Sequence, residues 1–258
     1  MAYEKVYGLS KQIALQGHTG CAGCTESLVT NAIFDALDEL GIDPTEVTAT
    51  APAGCSGMSY SSSTRGSSRG NIRANWNIVC GAHGRGHSIA TGLKRVHPEK
   101  MVLVLQGDGD LAGIGLHDTI HAANRGENFT VFFQNNQVYG TTGGQMAPTT
   151  LVGQVTTTTP TGRDPALQGY PLHIAEMLAP LPGVKYVARV AFTDPKNVLF
   201  ARKCIKKAIE CQIKGIGYAI VETICACPTN WHMSIDKAYD YIKNTVENEY
   251  KIGELKTY

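Results

Sequence analysis

Residues 107–136 read GDGDLAGIGLHDTIHAANRGENFTVFFQNN. An apolar run, Met101–Gln106, leads into the Gly-Asp-Gly tripeptide, and a second apolar run, 129–133, leads into Gln134 and the pair Asn135-Asn136. Between them Ile114–Arg125 carries helical spacing. The stretch is one strand–helix–strand unit. Its two polar motifs therefore fall at the carboxyl ends of adjacent parallel strands, where open α/β sheets bind their ligands. GDG alone is a common tight turn, and so is a lone Asn pair. Their joint occurrence at two strand ends is far more specific than either alone.

The residue types indicate the chemistry. Asp108 and Asn136 offer the oxygen donors that a hard divalent metal takes. Gly107 and Gly109 flank Asp108 and let the backbone approach a phosphate closely. Val138, two residues after Asn136, can add its backbone carbonyl as a third ligand. This is the layout of a diphosphate cofactor held through a metal, as in a thiamine diphosphate site. Gln137, Val138, Tyr139, Gly140, Thr141 and Thr142 continue the motif. Gly143 and Gly144 then let the chain fold over the phosphates.

Cysteine forms a second constellation. The chain has eight: Cys21, Cys24, Cys55, Cys80, Cys204, Cys211, Cys225 and Cys227. Residues 1–11, MAYEKVYGLSK, are polar and lack the apolar core of a signal peptide, so a cytoplasmic chain with few disulfides is expected. Several of these thiols then point to metal binding or catalysis. Cys21 and Cys24 form a Cys-x-x-Cys pair just before a helical pattern, where free N–H groups favour thiolates and sulfide. Cys55 lies in APAGCSGM, read as a loop after the strand-like EVTATA. Cys225 and Cys227 follow the strand-like YAIVETI. Such a set suits a four-cysteine iron–sulfur cubane. It also suits a structural zinc, and the Cys-x-x-Cys pair alone could be a redox dithiol. Cys204 and Cys211 share one helical face and read as small core residues. Cys80, next to Gly81, is ambiguous, and a reading without function is preferred.

The composition excludes some classes of function. Charged residues make up 17% of the chain and the formal net charge is +1, with no basic stripe, so nucleic acid is not an expected partner. Runs such as MVLVL are too short to span a membrane. Helical spacing is expected over Leu28–Leu40, with Gly41 as the stop, and over His87–His97, Leu172–Leu178 and Pro195–Lys214. Strands are expected at Met101–Gln106, Phe129–Gln134, Lys185–Ala191 and Tyr218–Ile224. Residues 59–80 read as a Ser-, Arg- and Gly-rich loop, residues 140–170 as a long aperiodic segment, and everything after Ile235 as helix. The alternation predicts one α/β domain over 1–258, a parallel sheet with helices on both faces.

GHTGCAGC, the GDG…NN segment, VYGTTGGQMAPTTLVGQVTTTTPTGRDP and CPTNW together resemble the thiamine-binding beta subunit of the 2-oxoacid:ferredoxin oxidoreductases. The match runs from about Gly17 to Trp231. The TGGQMAPTT…GQ…TTTTP…GRD stretch is most similar to the 2-oxoisovalerate branch. The resemblance implies the pyrophosphate-domain fold of thiamine enzymes. It also implies CoA-dependent oxidative decarboxylation of a 2-oxoacid, with electrons passed to ferredoxin. By the same resemblance Asp108, Asn136 and the Val138 carbonyl hold Mg2+. Cys21, Cys24, Cys55 and Cys227 hold a 4Fe–4S cluster. Cys227 is assigned because the last ligand directly precedes Pro-Thr-x-Trp, and Cys225 leaves that choice open.

His83, Gly84 and Arg85 resemble a family segment near the diphosphate, though they also read as a capped helix start. Gly107, Gly109, Asp110, Tyr139, Gly140, Thr141 and Thr142 complete the implied cofactor contacts. Thr25 stands where relatives commonly have Gly. The glutamate that activates the aminopyrimidine is expected on a partner, the alpha subunit with the pyrimidine domain, alongside gamma and ferredoxin-like delta subunits. The segment 141–170, with Thr156–Thr159 and Arg163-Asp164, is expected to meet that partner. Pyruvate, 2-oxoglutarate and aryl 2-oxoacids are alternative substrates. A non-oxidative thiamine decarboxylase or synthase with structural cysteines, and a pure iron–sulfur or zinc module, are the competing functions.

Overall fold

The computed structural model describes residues 8–14, 20–62, 71–72 and 74–258. Gly17, His18 and Thr19 of the GHTGCAGC motif, and most of the Ser/Arg/Gly-rich stretch, lie outside the described residues. A seven-stranded sheet is built from β1 (Val47–Thr50), β2 (Asn77–Val79), β3 (Met101–Gly107), β4 (Thr130–Asn135), β5 (Val184–Ala191), β6 (Tyr218–Ile224) and β7 (Gly253–Lys256). Its strand order is β7-β5-β6-β4-β3-β1-β2. Every pairing is parallel except that of β7 with β5.

Alternation along the strands divides the core in two. Leu103 and Leu105 of β3, Phe132 of β4 and Val221 of β6 pack under α1 (Glu26–Glu39) and α6 (Pro195–Ile213). Val102, Val104, Val131, Phe133 and Ile220 face α3 (Gly86–Val96), α4 (Leu116–Arg125) and α5 (Ile174–Leu178). Strands buried on both sides read as continuous apolar runs, which is why β3 and β6 are plain in the sequence. Cys204 and Cys211 sit in the α1–α6 layer, at 1% and 0% exposure, as core residues. No helix among the described residues is long and apolar enough to cross a membrane.

Local chemistry sets the helix ends. Gly41, with φ +72, follows α1 and closes its last turn. Asp194 caps α6 by accepting the Asn197 N–H at 2.9 Å, and Pro195 occupies the first turn. Gly126, with φ +66, ends α4.

Three expectations need correction. Residues 77–79, read as loop, form edge strand β2; a three-residue strand is too short to show alternation. The segment after Ile235 is helical only in part, as α7 (Ile235–Tyr241) and two further helical turns. It ends in β7, an antiparallel edge strand whose sequence Gly-Glu-Leu-Lys carries little apolar signal. Cys55 is the first residue of a short helix, α2 (Cys55–Tyr60), rather than part of a loop.

The aperiodic segment is ordered by a single residue. Arg163, 5% exposed, donates to the carbonyls of Pro148, Thr150, Gln168, Gly169 and Tyr170. Its donors are thus turned into its own loop. Asp164 caps the next turn through the Ala166 N–H. Thr156 and Thr159 are buried and bonded to each other.

The end of α4 touches the start of β5 through glycine. A Cβ on Gly183 would lie 2.4 Å from the Ala123 carbonyl oxygen and 2.6 Å from the Gly126 nitrogen. Backbone atoms cannot swing aside as a side chain does. Gly183→Ala is therefore expected to destabilise the fold by about 1–3 kcal/mol, measured as a lower urea midpoint with an unchanged slope.

Candidate functional site

The chain leaves β1 toward β2 at one edge and leaves β3 toward β4 in the opposite direction. The crevice between these loops, at the carboxyl ends of the strands, is where an open sheet binds ligands. A cavity of about 380 Å3 lies there. It is lined by Glu26, 53–56, His83, 107–110, Ile114, Asn136 and 138–142.

Asp108 follows directly on β3 and is 2% exposed. Its Oδ1 accepts the Gly109 N–H at 2.7 Å and its Oδ2 accepts the Thr149 hydroxyl at 2.8 Å. Burial pushes its pKa up to about 7, against those hydrogen bonds. A buried carboxylate of this kind is one that a divalent cation would hold ionised. Asn136 follows β4, is 6% exposed, and accepts the Val138 N–H on Oδ1 at 3.2 Å. The Trp231 indole donates to the Asn136 carbonyl at 3.2 Å. Gln137, between the two proposed ligands, has φ +58, a left-handed conformation rare for residues with a side chain. The donor set is all oxygen and is built on two adjacent strand ends, which fits magnesium.

Val138–Tyr139 pairs with Gln145–Met146 in a small hairpin over the cavity. Gly143 and Gly144 turn it, with φ +115 and +80. Tyr139 packs on the glycine face of the 107–113 turn: a Cβ on Gly109 would lie 2.1 Å from its ring. Burial, then Asp108 and Asp110, raises the Tyr139 pKa. Asp110 accepts the Gly84 N–H, and burial raises its pKa. His83 lines the cavity, with Nδ1 2.7 Å from the Ala53 carbonyl oxygen. Arg85 does not line it. Its guanidinium is bound to Asp118 at 2.8 Å and His117 at 3.1 Å at the start of α4, so it ties helix to helix.

The thiols gather around the same hairpin, with Cys55 itself in the cavity wall. Cys55 Sγ lies 3.0 Å from the Thr141 hydroxyl. Asn230 Nδ2 donates to Cys227 Sγ at 3.4 Å and to the Gly140 carbonyl at 3.1 Å. Burial raises the pKa of Cys24, that of Cys55 up to about 12, and that of Cys227. Glu26 adds to each shift, Cys227 is felt at both Cys24 and Cys55, and Cys21 is felt at Cys55 and Cys227. These four sulfurs thus form one electrostatic neighbourhood. Among the described residues no three His, Cys, Asp or Glu side chains lie at single-ion spacing. Cys225 is apart. It is fully buried in the α1–α6 layer and its thiol donates to its own strand at Thr223 O, 3.4 Å. Exposed Cys80 lines no part of the cavity.

Thr25 joins the motifs. Its hydroxyl accepts the Ala226 N–H at 2.9 Å, linking the Cys-x-x-Cys turn to the residue between Cys225 and Cys227. Gly23, with φ +75, lets Ile235 close over that turn. Sequence reasoning passed over Glu26, Ser56, Thr149 and Asn230. All but Ser56 stand inside or next to motifs quoted above, so the motifs marked the neighbourhood but not these side chains.

Residues 52–222 match the family model for the C-terminal TPP-binding domain of thiamine pyrophosphate enzymes. The 2-oxoglutarate synthase subunit KorB of Methanocaldococcus jannaschii is 34% identical over 245 residues, 93% of this chain and 81% of that protein. The chain belongs to the 2-oxoacid:ferredoxin oxidoreductase beta-subunit family. Within that family it is 46% identical over 240 residues to the ketoisovalerate oxidoreductase subunit VorA of Methanothermobacter thermautotrophicus. The alignment takes in 92% of this chain but 47% of VorA, so the chain spans about half the length of that relative. The 2-oxoglutarate:ferredoxin oxidoreductase of Magnetococcus marinus, solved with 2-oxoglutarate, coenzyme A and succinyl-CoA bound, superposes with a TM-score of 0.76. That match covers 96% of this chain and 84% of that one at 24% identity, and it shows the shared fold.

For a family member that binds thiamine pyrophosphate here, the Gly109–Tyr139 contact is testable. Gly109→Ala is expected to weaken magnesium-dependent thiamine diphosphate binding in calorimetry. Gly92→Ala, in α3 with open space around it, should leave binding intact and gain about 0.5–1 kcal/mol of stability.

Proposed function

We propose that this chain is the cofactor-bearing subunit of a 2-oxoacid:ferredoxin oxidoreductase. With its partners it converts a 2-oxoacid and coenzyme A to an acyl-CoA and CO2, and passes the electrons through a 4Fe–4S cluster to ferredoxin. One observation carries the reading. The hairpin at Gly140-Thr141 lines the Asp108–Asn136 cavity and also contacts Cys55, itself in the cavity wall, and, through Asn230, Cys227. A diphosphate site and a thiol cluster site share one turn.

Asp108, Asn136 and the Val138 carbonyl would hold Mg2+, and the 107–110 and 138–142 backbones would cradle the diphosphate. Bound thiamine diphosphate supplies the carbon nucleophile and the electron sink for decarboxylation. The protein's own part is to orient it, to present the buried Asp108 carboxylate to the metal, and to cover the site with Tyr139. Cys21, Cys24, Cys55 and Cys227 would hold the cluster. The higher identity to VorA than to KorB favours a branched 2-oxoacid such as 2-oxoisovalerate. The aminopyrimidine-activating carboxylate and the rest of the substrate pocket fall to an alpha subunit, with gamma and ferredoxin-like delta subunits completing the assembly.

The direct test is viologen reduction with coenzyme A and a panel of 2-oxoisovalerate, pyruvate, 2-oxoglutarate and an aryl 2-oxoacid. Activity is expected when the chain is co-expressed with its partners, and greatest with 2-oxoisovalerate. Full turnover by the chain alone would refute the divided site.

Serine scanning tests the cluster. Wild type should carry about four irons per chain. Ser at position 21, 24, 55 or 227 should lower the iron and abolish the paramagnetic signal of the reduced protein. Ser at position 204, 211 or 225 should leave both in place. Loss at Cys225 with retention at Cys227 would reverse the assignment of the fourth ligand.

A further inference from the structure

Strands β5 and β6 carry a charged pair in the protein interior. Arg189 is 0% and Glu222 1% exposed, and Arg189 Nε donates to Glu222 Oε2 at 2.9 Å. The other guanidinium nitrogens donate to Glu176 of α5, at 2.7 and 2.5 Å. A buried ion pair adds little net stability over an apolar pair of the same volume. Its presence here therefore calls for a geometric reason, and two hydrogen-bonded arms supply one.

The first arm starts at the other oxygen of Glu222. Oε1 accepts Asn135 Nδ2 at 2.7 Å. Asn135 Oδ1 accepts the Gln137 N–H at 3.3 Å and Gln137 Nε2 at 2.9 Å, and that amide also donates to the Asn135 carbonyl at 2.7 Å. These bonds hold the left-handed turn at Gln137 that separates Asn136 from Val138. The second arm starts at Tyr250, whose ring lies 5.1 Å from the Arg189 guanidinium. The Tyr250 hydroxyl donates to the Thr149 carbonyl at 2.8 Å, and the Thr149 hydroxyl donates to Asp108 Oδ2 at 2.8 Å. Both arms leave one guanidinium and end at the two strand-end loops of the cavity.

We propose that the Arg189–Glu222 pair is a positioning device for the divalent metal, setting the Asn136–Val138 turn through Asn135 and the Asp108 carboxylate through Tyr250 and Thr149. This rests on the reading of Asp108, Asn136 and Val138 as metal ligands. Neither member of the pair touches metal or substrate; each acts through a neighbour. Groups that orient metal ligands from behind set metal affinity by roughly 10- to 100-fold.

The test is a magnesium titration of thiamine diphosphate binding by calorimetry, on the full chain with its co-purifying subunits. Glu222→Gln keeps the volume but leaves either Arg189 or Asn135 without its oxygen acceptor. Half-saturating magnesium should rise roughly tenfold or more. The double variant Arg189→Met/Glu222→Met fills the same space with apolar groups. It should stay folded with a cooperative melt, because both buried charges go together, and still show the magnesium deficit, which separates positioning from folding. Tyr186→Phe removes a buried hydroxyl bonded to Glu254 from the same strand β5, and should titrate as wild type. Wild-type magnesium dependence in Glu222→Gln or in the double variant would overturn the proposal, as would an equal deficit in Tyr186→Phe. Wild-type protein with no magnesium-dependent binding would instead overturn the ligand assignment, and the proposal with it.

Discussion

Parallel strands β1 and β3 lie side by side, yet the chain leaves their carboxyl ends in opposite directions. No connection can cover the gap between them, and every feature of the site is an answer to that opening. The 107–110 turn fills one wall, the 53–56 segment the other, and the hairpin after β4 forms a roof. Backbone groups at these strand ends have no sheet partner on the open side. Phosphate and metal are ligands that such a place can hold, and close approach to them demands small residues. Gly107, Gly109 and Gly113 stand where that demand falls, with Tyr139 packed against the last two.

The legibility of this arrangement follows from burial. Strands covered on both faces must be apolar throughout, so β3, β4, β5 and β6 are readable from composition alone, and the helices between them from their spacing. Edge strands carry no such obligation. β2 and β7 pair along one side only, and Asn-Ile-Val and Gly-Glu-Leu-Lys look like any surface segment. Asp108 and Asn136 stand out in the sequence because their motifs occur together at two adjacent strand ends, a pattern far rarer than either motif alone. Their supports do not. Thr149, Asn135 and Asn230 are ordinary polar residues until the fold brings them beside Asp108, Gln137 and Cys227. Gln137 is a further case: nothing about glutamine announces a positive φ, because side-chain bonds to Asn135 impose it. Arg85 errs the other way. Its neighbours His83 and Gly84 are close to the site, but its charge is taken up by Asp118.

Polar groups are unusually prominent in the interior near the site. Glu26, Asp108, Asp110, Arg189 and Glu222 are all nearly inaccessible to solvent. Burying charge is costly unless each group is paired or bonded, and the bonds these groups make run toward the strand ends. The layer under α1 and α6 buries neutral polar groups as well, with Thr30, Thr130 and Gln212 each hydrogen-bonded to the backbone or to one another. Among the described residues, the ion pair Arg189–Glu222 is the place where full charges are buried together.

The loop gathered around Arg163 has a consequence for association kinetics. Five carbonyls converge on one guanidinium, so the 148–170 segment keeps its shape in a free chain. Val152, Val155, Leu167 and Tyr170 stand exposed on that fixed frame. A partner docking there would meet a finished surface, with little chain entropy left to be lost. Assembly at such a face would proceed as the collision of two rigid bodies, with a rate set by orientation and encounter rather than by a folding step.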